Sequence, residues 1–303
     1  MACREQRQQP TTSSAVVTAP LPSTTTSTTT PGTPTKVDAG PLVAARPYRL
    51  EVPDGTDGRA LPLVILLHGY GSSGANHDAY LGLSKATNAR GVLLAIPDGT
   101  RDHTGKLFWN ATEACCDFDG ARVDDVAYLD AIVDDVSLKQ RVDPTRVYII
   151  GHSNGAFMAH RYACERSDRV AAIVALAGVP WVDTSKCKGH GVSVLQVHGD
   201  ADRIIEYDGG KSFGNGAPYP GAEATVAMWA ARDGCSKTRH EAGSPIDLDQ
   251  GVPGAETVRE AYTCGGAGEV DVELWRMRGS EHVPRFGARF AAAALDFLLR
   301  FKR

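Results

Sequence analysis

The pentapeptide Gly151-His152-Ser153-Asn154-Gly155 sets a serine between two glycines, after the apolar run Arg146–Ile150 and before a helical pattern. A serine so placed is presented on a tight strand-to-helix turn, where small flanking residues avoid the neighbouring strand and helix. Its hydroxyl is a weak nucleophile until a base takes the proton and an acid orients the base. A plain glycine-rich connection would read the same, so the partners decide. They should follow in the order acid, then histidine, each just after a strand. The acid lies in His198-Gly199-Asp200-Ala201-Asp202, after the run Val192–Val197, and the residues alone leave Asp200 and Asp202 both open. The base is His282, in Gly279-Ser280-Glu281-His282 after Val270–Met277.

Of the nine histidines, only His240 and His282 follow the acid. His240 sits in a polar stretch with no strand before it and is expected at the surface. His68 and His198 each precede a glycine and are expected to shape their loops. A developing oxyanion needs two backbone N–H donors. One is that of Asn154; the other is that of Tyr70, in the glycine-rich loop His68-Gly69-Tyr70-Gly71. This chemistry is acyl transfer through a covalent intermediate and calls for no metal and no organic cofactor. Asp124, Asp125, Asp134 and Asp135 could suggest a metal. They lie beside a clean apolar stripe (Val126, Leu129, Val133, Val136) and are read as a solvated helix face, with Asp125 at its edge.

The elements that must position these residues alternate along the chain. Leu61–Leu67, Val92–Ile96, Arg146–Ile150, Val170–Ala177, Val192–Val197 and Val270–Met277 read as strands. Val123–Lys139, Gly155–Arg166, Ala222–Arg232 and Phe290–Lys302 carry helical periodicity, and Asp143-Pro144 is expected to break the chain. Such alternation predicts an α/β fold, a mostly parallel sheet with helices on both faces.

Composition bounds the rest. The chain has 303 residues, 32 basic against 36 acidic, for a net charge of −4. A nucleic-acid binder would show a basic excess, so no nucleic-acid partner is expected. The run Val170–Val182 is broken by Gly178 and Pro180 and falls short of the roughly 18 residues of a membrane span, so no transmembrane segment is expected. Residues 1–43, rich in Thr, Ser, Pro and Gln, are read as a disordered tether, and residues 44–303 as one domain. Cys3 belongs to the tether. The other six cysteines (Cys115, Cys116, Cys164, Cys187, Cys235, Cys264) form no CxxC pair and favour up to three disulfides in an oxidising compartment, with buried free thiols as the alternative. Met1–Pro10 lacks the apolar stretch of an export signal. Ala2-Cys3 before a long tether resembles the start of a mature bacterial lipoprotein, which would carry a lipid anchor at Cys3; a truncated or mis-started chain is the other reading.

LLHGYG (Leu66–Gly71), IPDGT (Ile96–Thr100), FWNA (Phe108–Ala111), ACC (Ala114–Cys116), VDDVAYL (Val123–Leu129), GHSNGAFMAHRYACE (Gly151–Glu165) and HGDADRIIEYDGG (His198–Gly210) occur in order. Together they resemble the secreted polyhydroxybutyrate-depolymerase-like and feruloyl-esterase-like proteins of the α/β-hydrolase superfamily, close to family 1 of the carbohydrate esterases. The resemblance covers nearly all of residues 45–303. It implies an exported or envelope-bound serine esterase with Asp202 as the acid, at the last position of H-G-x-x-D, and a Cys235–Cys264 disulfide. The implied substrate is an acyl ester on plant polysaccharide, feruloyl or acetyl; a polyhydroxyalkanoate comes second and a peptide bond a distant third. Many relatives carry Gly-His-x-Trp-Pro around the base, whereas this chain reads Glu281-His282-Val283-Pro284. The missing aromatic platform makes Trp109 the expected substrate-binding residue, with Trp181 beside it and a core role for either as the alternative. The rival from another class is a non-catalytic envelope or polymer-binding module, against which the undegraded triad speaks.

Overall fold

Strands buried on both faces read as unbroken apolar runs, and this chain supplies a series of them. The computed structural model describes residues 39–55, 58–265 and 270–303. Most of the expected tether, with Cys3, lies outside them. In chain order the strands are β1 (Arg49–Glu51), β2 (Leu61–Leu67), β3 (Leu93–Ile96), β4 (Thr100–Arg101), β5 (Leu107–Phe108), β6 (Val142–His152), β7 (Ala172–Leu176), β8 (Ser193–Gly199), β9 (Gly209–Lys211), β10 (Pro218–Pro220), β11 (Arg239–Glu241), β12 (Thr257–Tyr262) and β13 (Val272–Met277). Among the described residues nine of them form one sheet in the order β1-β3-β2-β6-β7-β8-β13-β12-β11. The six from β3 to β13 run parallel, while β1 at one edge and β12–β11 at the other are antiparallel. β4–β5 and β9–β10 are separate hairpins.

The helices are α1 (Ala39–Ala45), α2 (Gly74–Leu81), α3 (Leu83–Asn88), α4 (Asp125–Lys139), α5 (Asn154–Glu165), α6 (Ala222–Arg232) and α7 (Ala288–Leu298). Side chains alternate across a strand, and β2 shows what that builds. Leu63, Ile65 and Leu67 join a core with Val126 of α4, Phe157 of α5 and Trp229 of α6. Val64 and Leu66 join a second core with Leu81, Leu83 and the α7 residues Phe290 and Leu295. Each face of the sheet is thereby covered.

Two expectations change. α1 takes in Ala39–Val43, which composition had assigned to the tether, and Leu42 and Val43 pack on the first core. Pro144 lies within β6 instead of ending the chain's extension, because the β2–β6 ladder shifts register there, between Leu61 and Leu63. Three disulfides close the fold: Cys115–Cys116, Cys164–Cys187 and Cys235–Cys264.

Candidate active site

β6 ends at His152 and α5 begins at Asn154, so a single residue makes the turn between them. That residue, Ser153, has φ 54° and ψ −121°, a left-handed conformation that a side chain rarely tolerates. The glycines around it are required by contact with backbone. A Cβ on Gly151 would lie 2.2 Å from the Gly155 oxygen, one on Gly155 2.2 Å from the Leu67 oxygen, and one on Gly178 2.4 Å from the Ser153 oxygen.

β8 and β13 are neighbouring parallel strands, and the loops after them bring acid and base together. His282 Nε2 lies 2.9 Å from Ser153 Oγ, and His282 Nδ1 lies 2.7 Å from Asp202 Oδ2. The other Asp202 oxygen accepts the N–H groups of Ile204 and Ile205 at 2.8 and 3.0 Å. Burial pushes the Asp202 carboxyl up, but hydrogen bonds from His198, His282 and these amides outweigh it and hold the group well below the usual carboxylate range. An ionised acid, an imidazole bonded to it and a serine on the far imidazole nitrogen form the order that proton abstraction from a hydroxyl needs.

The loop after β2, expected to carry an oxyanion donor, lies against the serine. A Cβ on Gly69 would sit 3.3 Å from Ser153 Cβ, which sets that loop against the serine. Among the described residues neither Tyr70 N–H nor Asn154 N–H has a hydrogen-bond partner, whereas Gly71 N donates to Leu107 O of the β4–β5 hairpin. The Tyr70 hydroxyl donates to Asp102 at 2.6 Å on the same hairpin.

Trp109 is not a substrate platform. It is fully buried, donates its indole N–H to His68 O at 3.0 Å and its backbone N–H to Asn154 Oδ1 at 2.7 Å, and its oxygen accepts Asn154 Nδ2 at 2.9 Å. It ties the loop after β2 to the first residue of α5. Trp181 packs partly buried against the core. The exposed apolar residues near the site are Phe213, Ile204 and Val283. Phe213 packs on Phe118, whose ring meets Tyr70 edge-on.

The competing residues separate cleanly. Asp200 accepts from Arg276 Nε at 2.8 Å and Gly279 N at 2.6 Å, so it shapes the turn before the base and does not touch His282. His240 lies exposed on edge strand β11, where the sequence shows no strand. His68 Nε2 accepts Gly99 N–H at 2.9 Å, and His198 Nε2 donates to Ile205 O at 2.8 Å, each fixing its loop. On the acidic helix face Asp124 is exposed, as expected, and accepts Ala127 N–H at 3.0 Å, while the other three are a correction. Asp125 is fully buried, paired with Arg46 at 2.7 Å, and accepts Asn110 N–H at 2.7 Å. Asp134 pairs with Arg169, and Asp135 accepts the Tyr48 hydroxyl. These aspartates tie α4 to its neighbours, because α1 and the turn before β7 bring bases onto a face that looks solvated in isolation. Sequence reasoning missed Arg46, and also His77 and Tyr80 beside the site; none carries a motif.

The family model described as alpha/beta hydrolase fold matches residues 62–214, and the chain belongs to that family. NocK of Nocardia uniformis subsp. tsuyamanensis, an esterase by its name, is 32% identical over 233 residues, 72% of this chain and 64% of that protein. Feruloyl esterase B of Piromyces equi is 29% identical over 242 residues, 77% of this chain and 42% of its own length. The match thus spans less than two thirds of either relative. An acetyl xylan esterase from Aspergillus awamori shares the fold, with a TM-score of 0.56 at 14% identity over 82% of this chain and 93% of that one.

Proposed function

We propose that the chain is an exported serine hydrolase of carboxylic esters, acting on acyl groups carried by plant polysaccharide, feruloyl or acetyl. The observation that carries the reading is the Ser153–His282–Asp202 line at 2.9 and 2.7 Å on a strained elbow. Ser153 Oγ attacks the ester carbonyl carbon while His282 Nε2 takes its proton, and Asp202 holds the imidazole in the Nδ1–H tautomer. The Tyr70 and Asn154 N–H groups receive the oxyanion. His282 then gives its proton to the departing alcohol. Water attacks the acyl-enzyme with its proton passing to His282, and the acid leaves as Ser153 is reprotonated. These steps use no metal and no organic cofactor.

The named relatives support the acyl–polysaccharide reading, and the apolar side chains Phe118, Phe213, Ile204 and Val283 beside the site suit a non-polar acyl group. Three disulfides support an oxidising location. The test is titration with a serine-reactive phosphonate, followed by hydrolysis of aryl acetate, methyl ferulate, acetylated xylan and polyhydroxybutyrate. Labelling at Ser153 with turnover of ferulate or xylan ester is expected. Turnover of the polyester alone moves the substrate, and neither labelling nor turnover makes the chain a binding module.

A further inference from the structure

Beneath the site lies a pair of buried histidines that this chemistry does not use. His77, on α2, is 7% exposed and His152, the residue before the serine, 4%. The Ser72 hydroxyl is 3.0 Å from His77 Nδ1, and His77 Nε2 is 2.9 Å from His152 Nδ1. His152 Nε2 is 2.9 Å from the backbone oxygen of His282. Tyr80 packs against both rings and donates to Pro284 O at 2.8 Å. One string of contacts thus runs from the oxyanion loop, through the elbow, to the loop of the base.

The proton positions along it can be assigned. A carbonyl oxygen only accepts, so the contact with His282 O puts a proton on His152 Nε2. Neutral His152 then accepts at Nδ1, His77 donates from Nε2, and His77 Nδ1 accepts the Ser72 hydroxyl. Gly69 N–H also points at His77 Nε2, at 3.2 Å, and that nitrogen cannot both accept it and donate to His152. Accepting it would leave His77 Nε2 and the neutral His152 Nδ1 facing each other lone pair to lone pair at 2.9 Å, so the proton is assigned to the shorter contact. Burial keeps both rings neutral, pushing His152 down to about 3 and His77 down to about 4, with neighbouring histidines adding to the effect.

We propose that His77 and His152 are positioning residues, a hydrogen-bonded strut that fixes the spacing between the oxyanion loop and the backbone of His282. The proposal rests on the triad reading. Reacting groups displaced by about 1 Å lose on the order of 100-fold in rate, so a strut acting on both loops should show in kcat.

The test compares kcat and KM for an aryl acetate in the wild type, His77→Ala, His77→Gln and Ser72→Ala, with phosphonate titration of Ser153 and nitrogen NMR of the histidine tautomers. His77→Ala should lower kcat by roughly 10–100-fold with KM within about threefold. Glutamine, whose amide N–H can still reach His152 Nδ1, should restore most of the loss. The wild type should show His77 and His152 as neutral Nε2–H tautomers. A folded His77→Ala protein with kcat within about twofold of wild type, or an Nδ1–H tautomer at His152, overturns the strut. If His77→Ala does not fold, Ser72→Ala decides at the outer end of the string: a loss of about threefold or more in kcat supports the strut, and an unchanged kcat overturns it. A wild type that neither labels nor turns over ester sinks the triad reading itself, whatever the tautomers.

Discussion

The two sides of the site are held by different means. Ser153 and its flanking glycines are locked by backbone on backbone, at the interior ends of β6 and β7, with no slack for a single added methyl. The outer lip, where Glu113 and Phe118 face Phe213 and Asn215, is joined across by side chains: the Phe118–Phe213 contact at 5.6 Å and an Asn215 amide on Glu113 O at 2.6 Å. Phe213 is 69% exposed. The difference implies that changes at the elbow should abolish function or folding, while changes at the lip should tune it.

The largest effect should come from Ser153→Ala and His282→Ala. Members of a triad act as a unit, and each variant should lose about 10⁴–10⁶ in turnover while staying folded. Assay of an aryl ester beside a thermal melt checks this; more than a few per cent of activity in a folded variant would refute the assignment. Next, Asp202→Asn should cost on the order of 10⁴ by favouring the wrong imidazole tautomer. Asp200→Asn should cost far less, since Asp200 bonds Arg276 and Gly279 and not the base. A reversed order would move the acid.

Glycine substitutions probe the comparison directly. Gly155→Ala drives a methyl into the Leu67 carbonyl at 2.2 Å, and should cost roughly 3 kcal/mol or more. The nearest atoms that Gly214→Ala meets belong to a side chain, the Phe118 ring at 2.3 Å, and not to backbone, so the loss should be smaller. Urea midpoints for the two variants should differ in that sense; equal losses would mean that the lip is as rigid as the elbow.

Acid should weaken the interior. Burial pushes His152 down to about 3, and His77 and His160 down to about 4. In the unfolded chain histidine titrates near 6.5. As pH falls below about 6.5 the unfolded chain binds protons first, so stability is full above that value and declines toward pH 4. A loss of roughly 2 kcal/mol or more between pH 7 and pH 5 is expected from urea unfolding, and a flat or rising profile would contradict buried neutral histidines. The smallest effect belongs to the lip. Phe213→Ala should leave kcat within about twofold and raise KM a few-fold for an aromatic ester, as loss of uniform binding does. A large fall in kcat would place Phe213 among the groups that hold the transition state.

What could be read in advance follows the same division. The elbow, the acid loop and the base sit at the ends of long apolar runs, where strand periodicity and glycine sterics write themselves into residue types, so their placement was legible at Gly151–Gly155 and at Leu61–Leu67. β11 and β12 were not, because the edge strand β11 and its neighbour β12, with partly exposed residues such as Arg259 and Glu260, lack an apolar run. Trp109 misled because its type suits a sugar-facing platform as well as a core; only its bonds to His68 and Asn154 separate the two. Asp125 misled because helical periodicity sees one element, and Arg46 arrives from another 79 residues away.

Arg46 has a mechanical meaning. Its guanidinium lies 3.8 Å over the Tyr128 ring and pairs with Asp125, which holds Asn110 N–H beside Trp109, the residue bonded to both His68 and Asn154. Arg46 follows α1 directly, so this line of contacts begins one residue after the helix. Loss of Arg46 would strand the fully buried Asp125 carboxylate, at a cost of about 3–5 kcal/mol. Arg46 is thus as much a support of Asn110 and Trp109 as it is of α4.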